Sequence, residues 1–295
     1  DPSAIPSFFL AELTGRHVTV ALNGDGGDEG FGGYRRYVGS SLPARFDWLP
    51  RSVRRLAPRV LRPVGEGKRL NSNRTRIQRL ALTMAMEEGE RYAHWMSAFH
   101  SATHRRMFTP DFLNSLGDWK PSSLLTNQWA SSTANAHIDR MLDVDVHTYL
   151  PGDLLVKVDI ASMAYSLEAR SPFLDHHMME FAAALPAHLK VQGLQGKRIL
   201  KASLRGVLPD TILDRPKMGF GVPLLHWFRD ELRDLPADLL LDPTARVGEY
   251  VRADAIEEMI REHQIGRVDH SLRLWVLLQL ELWHREVVDS SPAII

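Results

Sequence analysis

The chain has 295 residues, of which 44% are hydrophobic and 24% are charged, as is usual for a soluble globular protein. Basic and acidic side chains number 36 each, so the balanced charge argues against nucleic acid or an anionic membrane as a partner. The absence of cysteine excludes disulfides and thiolate zinc sites, and it favours a reducing compartment such as the cytoplasm. No apolar stretch is long enough to cross a bilayer.

The first predicted elements are a helix and a strand. Ser3 is expected to cap the helix and Gly15 to end it. Residues 18–22 form a short apolar run rich in β-branched side chains, which predicts a strand buried on both faces of a parallel sheet. No second strand of comparable quality follows, and a lone strand is not stable, so we expect its partner strands to lie outside this sequence. Residues 1–40 are therefore predicted to form the edge of an α/β sheet.

Residues 41–295 are predicted to be helical. Within them, residues 51–73 are basic and contain prolines and glycines, so we expect an exposed loop there. A helix at 154–167 is apolar nearly all round and is predicted to be central, and its charged Lys157 and Asp159 serve either a salt bridge or a ligand site. Other helices are predicted at 74–99, 110–116, within 122–149, at 176–185, 196–206, 254–263 and 269–288, the last with an apolar face of Leu272, Trp275, Val276, Leu278 and Leu282.

Between the strand and these helices, residues 23–34 have the sequence Asn-Gly-Asp-Gly-Gly-Asp-Glu-Gly-Phe-Gly-Gly-Tyr. Glycines let a ligand approach the backbone closely, and carboxylates at the carboxyl end of a buried strand lie where α/β sheets bind ligands. The segment has neither the lysine of a Walker phosphate loop nor the glycine spacing of a dinucleotide fingerprint. Its acids cannot neutralise phosphate directly. They can hold Mg²⁺, which takes one or two carboxylates together with phosphate oxygens and water.

This segment resembles the second ATP-site motif of the glutamine-dependent asparagine synthetases. Residues 153–175, which contain Glu-Ala-Arg-Ser-Pro-Phe-Leu-Asp, and residues 196–228, which contain Arg-Pro-Lys-Met-Gly-Phe, resemble two later motifs in the family's order. The resemblance implies a mostly α chain, the helical C-terminal part of an α/β ATP-pyrophosphatase domain of the adenine nucleotide α-hydrolase-like type, with one clear parallel strand retained. The family's glutaminase domain and its Ser-Gly-Gly-x-Asp-Ser loop have no counterpart here. We therefore expect a part of a longer enzyme that is inactive by itself.

The resemblance also implies a reaction that needs ATP and Mg²⁺. The carboxylate of aspartate, or of another acid, attacks the α-phosphorus of ATP, and ammonia from glutamine then displaces AMP from the acyl-adenylate. Asp25 stands where many relatives carry glutamate, which leaves the acceptor acid open. By resemblance, the roles are catalysis for Asp25, Glu168 and Lys217, nucleotide binding for Asn23, Gly24, Gly26, Gly27, Lys157, Arg170 and Lys197, and Mg²⁺ binding for Asp28.

Other interpretations stay open from the sequence. The chain could come from an enzyme that amidates a different carboxylic acid, or it could be a non-catalytic helical interaction module. We expect Asp175 to cap the helix at 176–185 rather than to act in catalysis, and His100 and His104 to be packing or surface residues rather than metal ligands. The expected partners are small-molecule substrates and a glutaminase domain in the same or another chain, with homodimer formation left open and with neither nucleic acid nor membrane.

Overall fold

The computed structural model of the protein describes residues 1–44, 46–56, 73–215 and 218–290. It confirms a mostly helical chain that carries a small parallel sheet. The strands are β1 (Val20–Leu22) and β2 (Glu168–Arg170). The α-helices are α1 (Ala4–Gly15), α2 (Gly27–Phe31), α3 (Arg35–Ala44), α4 (Arg51–Arg54), α5 (Asn73–Met84), α6 (Glu88–Met96), α7 (Ser101–Met107), α8 (Pro110–Leu116), α9 (Ser123–Ser131), α10 (His137–His147), α11 (Leu155–Met163), α12 (His176–Ala184), α13 (Ala187–Lys190), α14 (Arg198–Ser203), α15 (Asp210–Leu213), α16 (Leu224–Trp227), α17 (Leu235–Leu240), α18 (Ala253–Gln264) and α19 (Ser271–Trp283). Single turns of 3₁₀ or π helix lie at Pro172–Leu174, Arg246–Glu249, Leu150–Leu154 and His284–Val288.

The sheet differs from the prediction in two ways. A second strand exists, because β2 pairs with β1 in parallel and places Val20 opposite Glu168. The sequence did not reveal it, since Glu-Ala-Arg has little intrinsic preference for a strand. The prediction that the first strand is buried on both faces is wrong, because the side chain of Leu22 is 75% exposed. Within the described residues the sheet consists of these two strands, so much of β1 stays uncovered.

The chain packs into two compact units, and unit one carries the sheet. Unit one comprises Asp1–Ala57, Leu80–Trp95 and Ser122–Val222. Its core includes buried side chains of α3, α6 and α10, namely Tyr37, Tyr92, Ala93, Met141, Leu142 and Val144.

The helix predicted to be central is only partly buried. Helix α1 packs along α11, and α11 buries Ala161 and Ser162. Its larger apolar side chains, Val156, Ile160 and Met163, are about half exposed. The prediction of a central helix is therefore wrong within the described residues, because apolar character all round the helix does not by itself supply neighbours on every side.

Unit two comprises Pro58–Arg79, Met96–Pro121 and Pro223–Ile295. Helices α18 and α19 confirm the helices predicted at 254–263 and 269–288. The predicted apolar face of α19 is confirmed for Leu278, which is buried, and wrong for Leu272, Val276 and Leu282, which are partly exposed. The helix also buries Leu274, Leu277 and Glu281, which lie outside the predicted face.

Two predictions on organisation are only partly covered by the described residues. The loop predicted at 51–73 begins as the short helix α4, and residues 57–72 lie outside the described part of the chain. The boundary predicted near residue 40 stays a prediction. Among the described helices, none has both the length and the apolar character needed to span a membrane.

Candidate active site

The site begins where β1 ends. The backbone N–H of Asn23 donates to the carbonyl of Arg170 at 2.9 Å, so the carboxyl ends of both strands meet at this point. The Asn23 side-chain oxygen accepts from the Ser171 hydroxyl and from the Asp25 N–H (3.3 Å), and its amide nitrogen donates to Asp25 Oδ2 at 2.8 Å. Asn23 therefore fixes the carboxylate of Asp25, and Ser171 fixes Asn23. The sequence did not single out Ser171.

Glycines shape the loop that follows. Gly26 has φ +83°, and a Cβ atom there would lie 2.2 Å from the side chain of Leu174. Gly32 has φ +73° and ends α2 in the same left-handed conformation. Residues with a side chain rarely adopt this conformation, so the two glycines allow a five-residue helix to start and stop abruptly. Asp28 and Glu29 both lie on that helix. At Gly24, by contrast, a Cβ atom would meet nothing within 4 Å, and this position faces open space.

An ion pair joins Asp28 to Lys197. The Lys197 Nζ lies 2.8 Å from Asp28 Oδ1, and both side chains are largely buried. Lys197 has φ +53°, a strained value for a residue with a side chain, and its N–H donates to the carbonyl of Phe31 at 3.1 Å. The backbone of Gly27 passes close to the ammonium group, since a Cβ atom there would lie 3.6 Å from Nζ. The structure therefore brings together the predicted metal ligand and a predicted nucleotide-binding lysine.

Two further predicted residues interact through their charges. Burial raises the pKa of Asp25, the charge of Lys157 opposes that rise, and the charge of Asp28 adds to it. Burial lowers the pKa of Lys157, against the opposing effects of Asp153 and Asp25. The Lys157 ammonium itself lies 3.0 Å from Asp1 Oδ2 and 2.8 Å from the Ser3 hydroxyl. Lys157 is thus held by a salt bridge while it influences Asp25 at longer range.

A groove of about 650 Å³ opens beside the strand ends. Glu168 and Arg170 of β2 line it and form an ion pair of 2.7 Å between two well-exposed side chains. The groove is therefore lined by one acidic and one basic side chain of the predicted site. Its other lining residues come from the end of β1 and the residue after it, from α11, from β2 and from the turn after β2: Leu22, Asn23, Leu155, Val158, Asp159, Ser162, Met163, Ala169, Ser171, Pro172, Leu174 and Asp175.

Other predicted residues have different outcomes. Lys217 lies outside the described residues. The helix cap predicted for Asp175 is confirmed, because its carboxylate accepts from the backbone N–H of His177 (3.0 Å) and Met178 (3.4 Å) at the start of α12.

His104 packs against the ring of Phe108, with 5.2 Å between ring centres. Among the described residues, no group of three or more histidines and acids is arranged to hold a metal ion without further ligands.

Sequence comparison identifies the family. The profile of the asparagine synthase family matches residues 1–285. The chain belongs to the asparagine synthase family. It is 37% identical over 292 residues to a putative glutamine-hydrolysing asparagine synthetase of Mycobacterium bovis, and 29% identical over 288 residues to glutamine-hydrolysing asparagine synthetase 1 of Bacillus subtilis.

These matches cover 99% and 96% of this chain but 43% of each of the two relatives. The chain thus spans less than half the length of these asparagine synthetases. A shorter match, 34% identical over 102 residues, relates 31% of the chain to the glutamine-hydrolysing asparagine synthetase of Gallus gallus. The resemblance noted in the sequence is confirmed over the whole of the chain up to residue 285.

Proposed function

We propose that the protein forms an amide bond at the expense of ATP, with the chain described here supplying part of the synthetase site. The observation that carries the proposal is the position of Asp25 and Asp28 on one glycine-shaped loop at the carboxyl end of a parallel strand, where Lys197 from a distant segment pairs with Asp28. Ligands of α/β proteins bind at this end of the sheet. Membership of the asparagine synthase family supports aspartate as the acid and ammonia from glutamine as the nitrogen donor.

The reaction divides into two steps. An oxygen of the substrate carboxylate forms a bond to the α-phosphorus of ATP, and the bond to the leaving pyrophosphate breaks. Ammonia then adds to the acyl carbon of the acyl-adenylate, AMP leaves, and the nitrogen loses a proton. Charge builds up on pyrophosphate in the first step, so fixed positive charges are the main requirement of the site. We assign that task to Lys197 and, outside the described residues, to Lys217.

The residues present fit Mg²⁺, provided that phosphate oxygens complete its ligands. Asp28 offers a carboxylate in a space cleared by glycine, because a Cβ atom at Gly33 would lie 1.7 Å from its Oδ1. One or two carboxylates are the usual protein contribution to a magnesium–nucleotide site. When bound, the ion would neutralise phosphate charge. Asp28 would hold it, and Lys197 would have to leave the Asp28 oxygen that it now contacts or share it.

We assign roles to the other predicted site residues from their positions in the structure. Asp25, held by Asn23, is assigned to support adenylate formation. Gly24, Gly26 and Gly27 let the nucleotide approach the backbone, and Glu168 is assigned to orient or deprotonate the incoming amine in the groove that it lines. In the second candidate function the same site amidates a different carboxylic acid. The shorter side chain of Asp25, where relatives often carry glutamate, favours keeping this alternative.

The test is product analysis with the complete natural protein. We expect AMP and pyrophosphate in equal amounts when ATP, Mg²⁺, aspartate and ammonium are supplied, measured by ³¹P NMR, and no product when the acid is omitted. A panel of other amino acids and dicarboxylic acids decides between aspartate and the second candidate. Formation of ADP and phosphate, or AMP release that does not depend on any acid, would contradict the proposal.

A further inference from the structure

A buried polar network of unit one is connected to residues 23–34, which we call the acidic loop. Asp145 of α10 is fully buried, and its carboxylate accepts hydrogen bonds from Arg36 Nη2 (2.6 Å), the Tyr37 hydroxyl (2.5 Å) and the Tyr92 hydroxyl (2.5 Å). The Arg36 guanidinium lies 3.9 Å from the centre of the Tyr34 ring, within the range of a cation–π contact. An acid on the apolar stripe of a helix, as Asp145 is, needs hydrogen-bonding partners when it is buried.

Tyr34 connects this network to the loop. Its hydroxyl donates to Glu29 Oε1 at 2.6 Å, and Glu29 is only 1% exposed. The Tyr149 ring centre lies 4.5 Å from the same guanidinium and 5.9 Å from the Tyr34 ring centre, so the cation contacts two adjacent aromatic rings. Glu29 follows Asp28 in the chain. The network therefore ends one residue away from the proposed Mg²⁺ ligand.

The loop needs such support. Its helix α2 has five residues and left-handed glycines at both ends, so the helix has little rigidity of its own. The backbone of Gly33 also approaches Asp28 so closely that a Cβ atom would overlap the carboxylate. Any shift of the neighbouring Tyr34 would therefore move or crowd Asp28.

We propose that Asp145, Arg36 and Tyr34 are positioning residues, which hold Glu29 and thereby orient Asp28 for the synthetase reaction. A buried ion pair adds little stability compared with apolar packing, but it can select a single geometry. The geometry selected here is that of the acidic loop. The inference rests on the proposed function, because it concerns the rate of that reaction.

A second buried network of the same unit provides a matched control. Asp47 accepts hydrogen bonds from Arg54 Nη1 (2.7 Å) and from both terminal nitrogens of Arg91 (3.0 and 2.6 Å). Arg91 is fully buried, and its Nε donates to the carbonyl of Thr83 at 3.1 Å. None of the described hydrogen bonds of this network reaches residues 23–34. Both networks pair an aspartate with a largely buried arginine, although the Asp47 side chain is 25% exposed and that of Asp145 is fully buried. They differ in their connection to the loop.

The experiment compares Arg36→Lys with Arg91→Lys in the complete natural protein. Both substitutions keep the positive charge but remove the planar guanidinium group with its paired N–H donors. We therefore expect both to lower the melting temperature by similar amounts. Only Arg36→Lys should lower kcat for pyrophosphate release, by roughly 10-fold or more, with the KM for ATP nearly unchanged. Only Arg36→Lys should also speed hydrogen exchange of the backbone amides of residues 26–33. Tyr34→Phe, which keeps the ring and removes only the hydroxyl, should change both measurements in the same direction.

Equal losses of kcat in Arg36→Lys and Arg91→Lys would overturn the proposal, and so would unchanged hydrogen exchange at residues 26–33 in Arg36→Lys. If Arg36→Lys does not fold, Tyr34→Phe decides, and normal kcat with normal exchange would then refute the role. If the wild-type protein releases no pyrophosphate, the proposed function fails. The exchange comparison still shows in that case whether the network holds the loop.

Discussion

Asp145 in unit one and Glu281 in unit two are both fully buried carboxylates on helices, but their hydrogen bonds connect them to different kinds of groups. Glu281 accepts from the backbone N–H of Val247 at 2.9 Å and from Arg285 Nε at 2.6 Å. It therefore joins α19 to the turn at Arg246–Glu249 and to its own following turn. Asp145 accepts hydrogen bonds from side chains of α3 and α6. One of these donors, Arg36, also contacts Tyr34, which belongs to the acidic loop.

The comparison separates two uses of a buried charge. In unit two the charge satisfies a backbone donor that packing has removed from water, so its loss should lower the free energy of unfolding. In unit one a series of contacts connects the charge of Asp145 to the loop that carries Asp28. Substitutions in this series of contacts should therefore lower the rate of catalysis.

Asp28→Asn should lower the rate of pyrophosphate release by roughly 10³-fold, because a neutral amide replaces a charged metal ligand and preorganised electrostatic contacts of this kind account for large parts of catalysis. The shape of the side chain is kept, but Lys197 loses its ion-pair partner, so we expect the melting temperature to fall moderately while the protein stays folded at the assay temperature. The measurement is a coupled pyrophosphate assay at saturating ATP, with Asp254→Asn as the control. Asp254 is an exposed carboxylate of unit two that pairs with Arg252.

A rate for Asp28→Asn within a factor of three of wild type would remove Asp28 from the site. A comparable loss in Asp254→Asn would show that the assay responds to general damage rather than to the acidic loop.

Glu281→Ala should have the opposite profile. It leaves the Val247 N–H buried without an acceptor, which costs roughly 2 kcal/mol of unfolding free energy. We expect a lower midpoint in urea unfolding with an unchanged slope, and an unchanged kcat below the transition. A loss of kcat in the folded variant would contradict the assignment of Glu281 to stability alone.

His263 should make the stability of the protein depend on pH. Burial, helped by the charge of Arg229 and opposed by that of Asp269, lowers the pKa of His263 from 6.5 to about 4. Between these two pH values the unfolded chain binds a proton that the folded protein does not, so stability falls as the pH drops from 6.5 towards 4.

The check for His263 is the melting temperature at pH 7 and at pH 5, in the wild-type protein and in His263→Asn. Asparagine can keep the hydrogen bond that the His270 N–H donates to His263 Nδ1 at 3.1 Å. The drop in melting temperature between the two pH values should be a few degrees smaller in the variant. An equal drop would mean that other groups cause the pH dependence.

Much of the fold was predictable because its signals are local. The boundaries of α8, α12, α18 and α19 follow from helical periodicity, and the Asp175 cap follows from a side chain next to the helix start. The second strand was not predictable from Glu-Ala-Arg, since pairing with β1 rather than its own preference makes it a strand. The buried face of α19 was only partly predicted, because it includes Glu281, a charged residue whose partners Val247 and Arg285 are visible only in the structure.

The site shows the same division. The glycines and acids of residues 23–34 lie side by side in the sequence, and their composition alone predicted a ligand loop. The partners of those acids come from distant segments: Ser171 for Asn23, Lys197 for Asp28, and Arg36 with Asp145 behind Tyr34. A single sequence does not show which distant residues are in contact, so these supporting residues could be identified only from the structure.

In the proposed reaction a substrate carboxylate is activated by transfer of the adenylyl group of ATP to one of its oxygens. The direct measurement uses aspartate labelled with ¹⁸O in its side-chain carboxylate, incubated with ATP, Mg²⁺, ammonium and the complete natural protein. Our account predicts that one labelled oxygen appears in AMP, detected by mass spectrometry or by the isotope shift in ³¹P NMR, together with unlabelled pyrophosphate. Labelled inorganic phosphate formed together with ADP, or AMP without label, would contradict it.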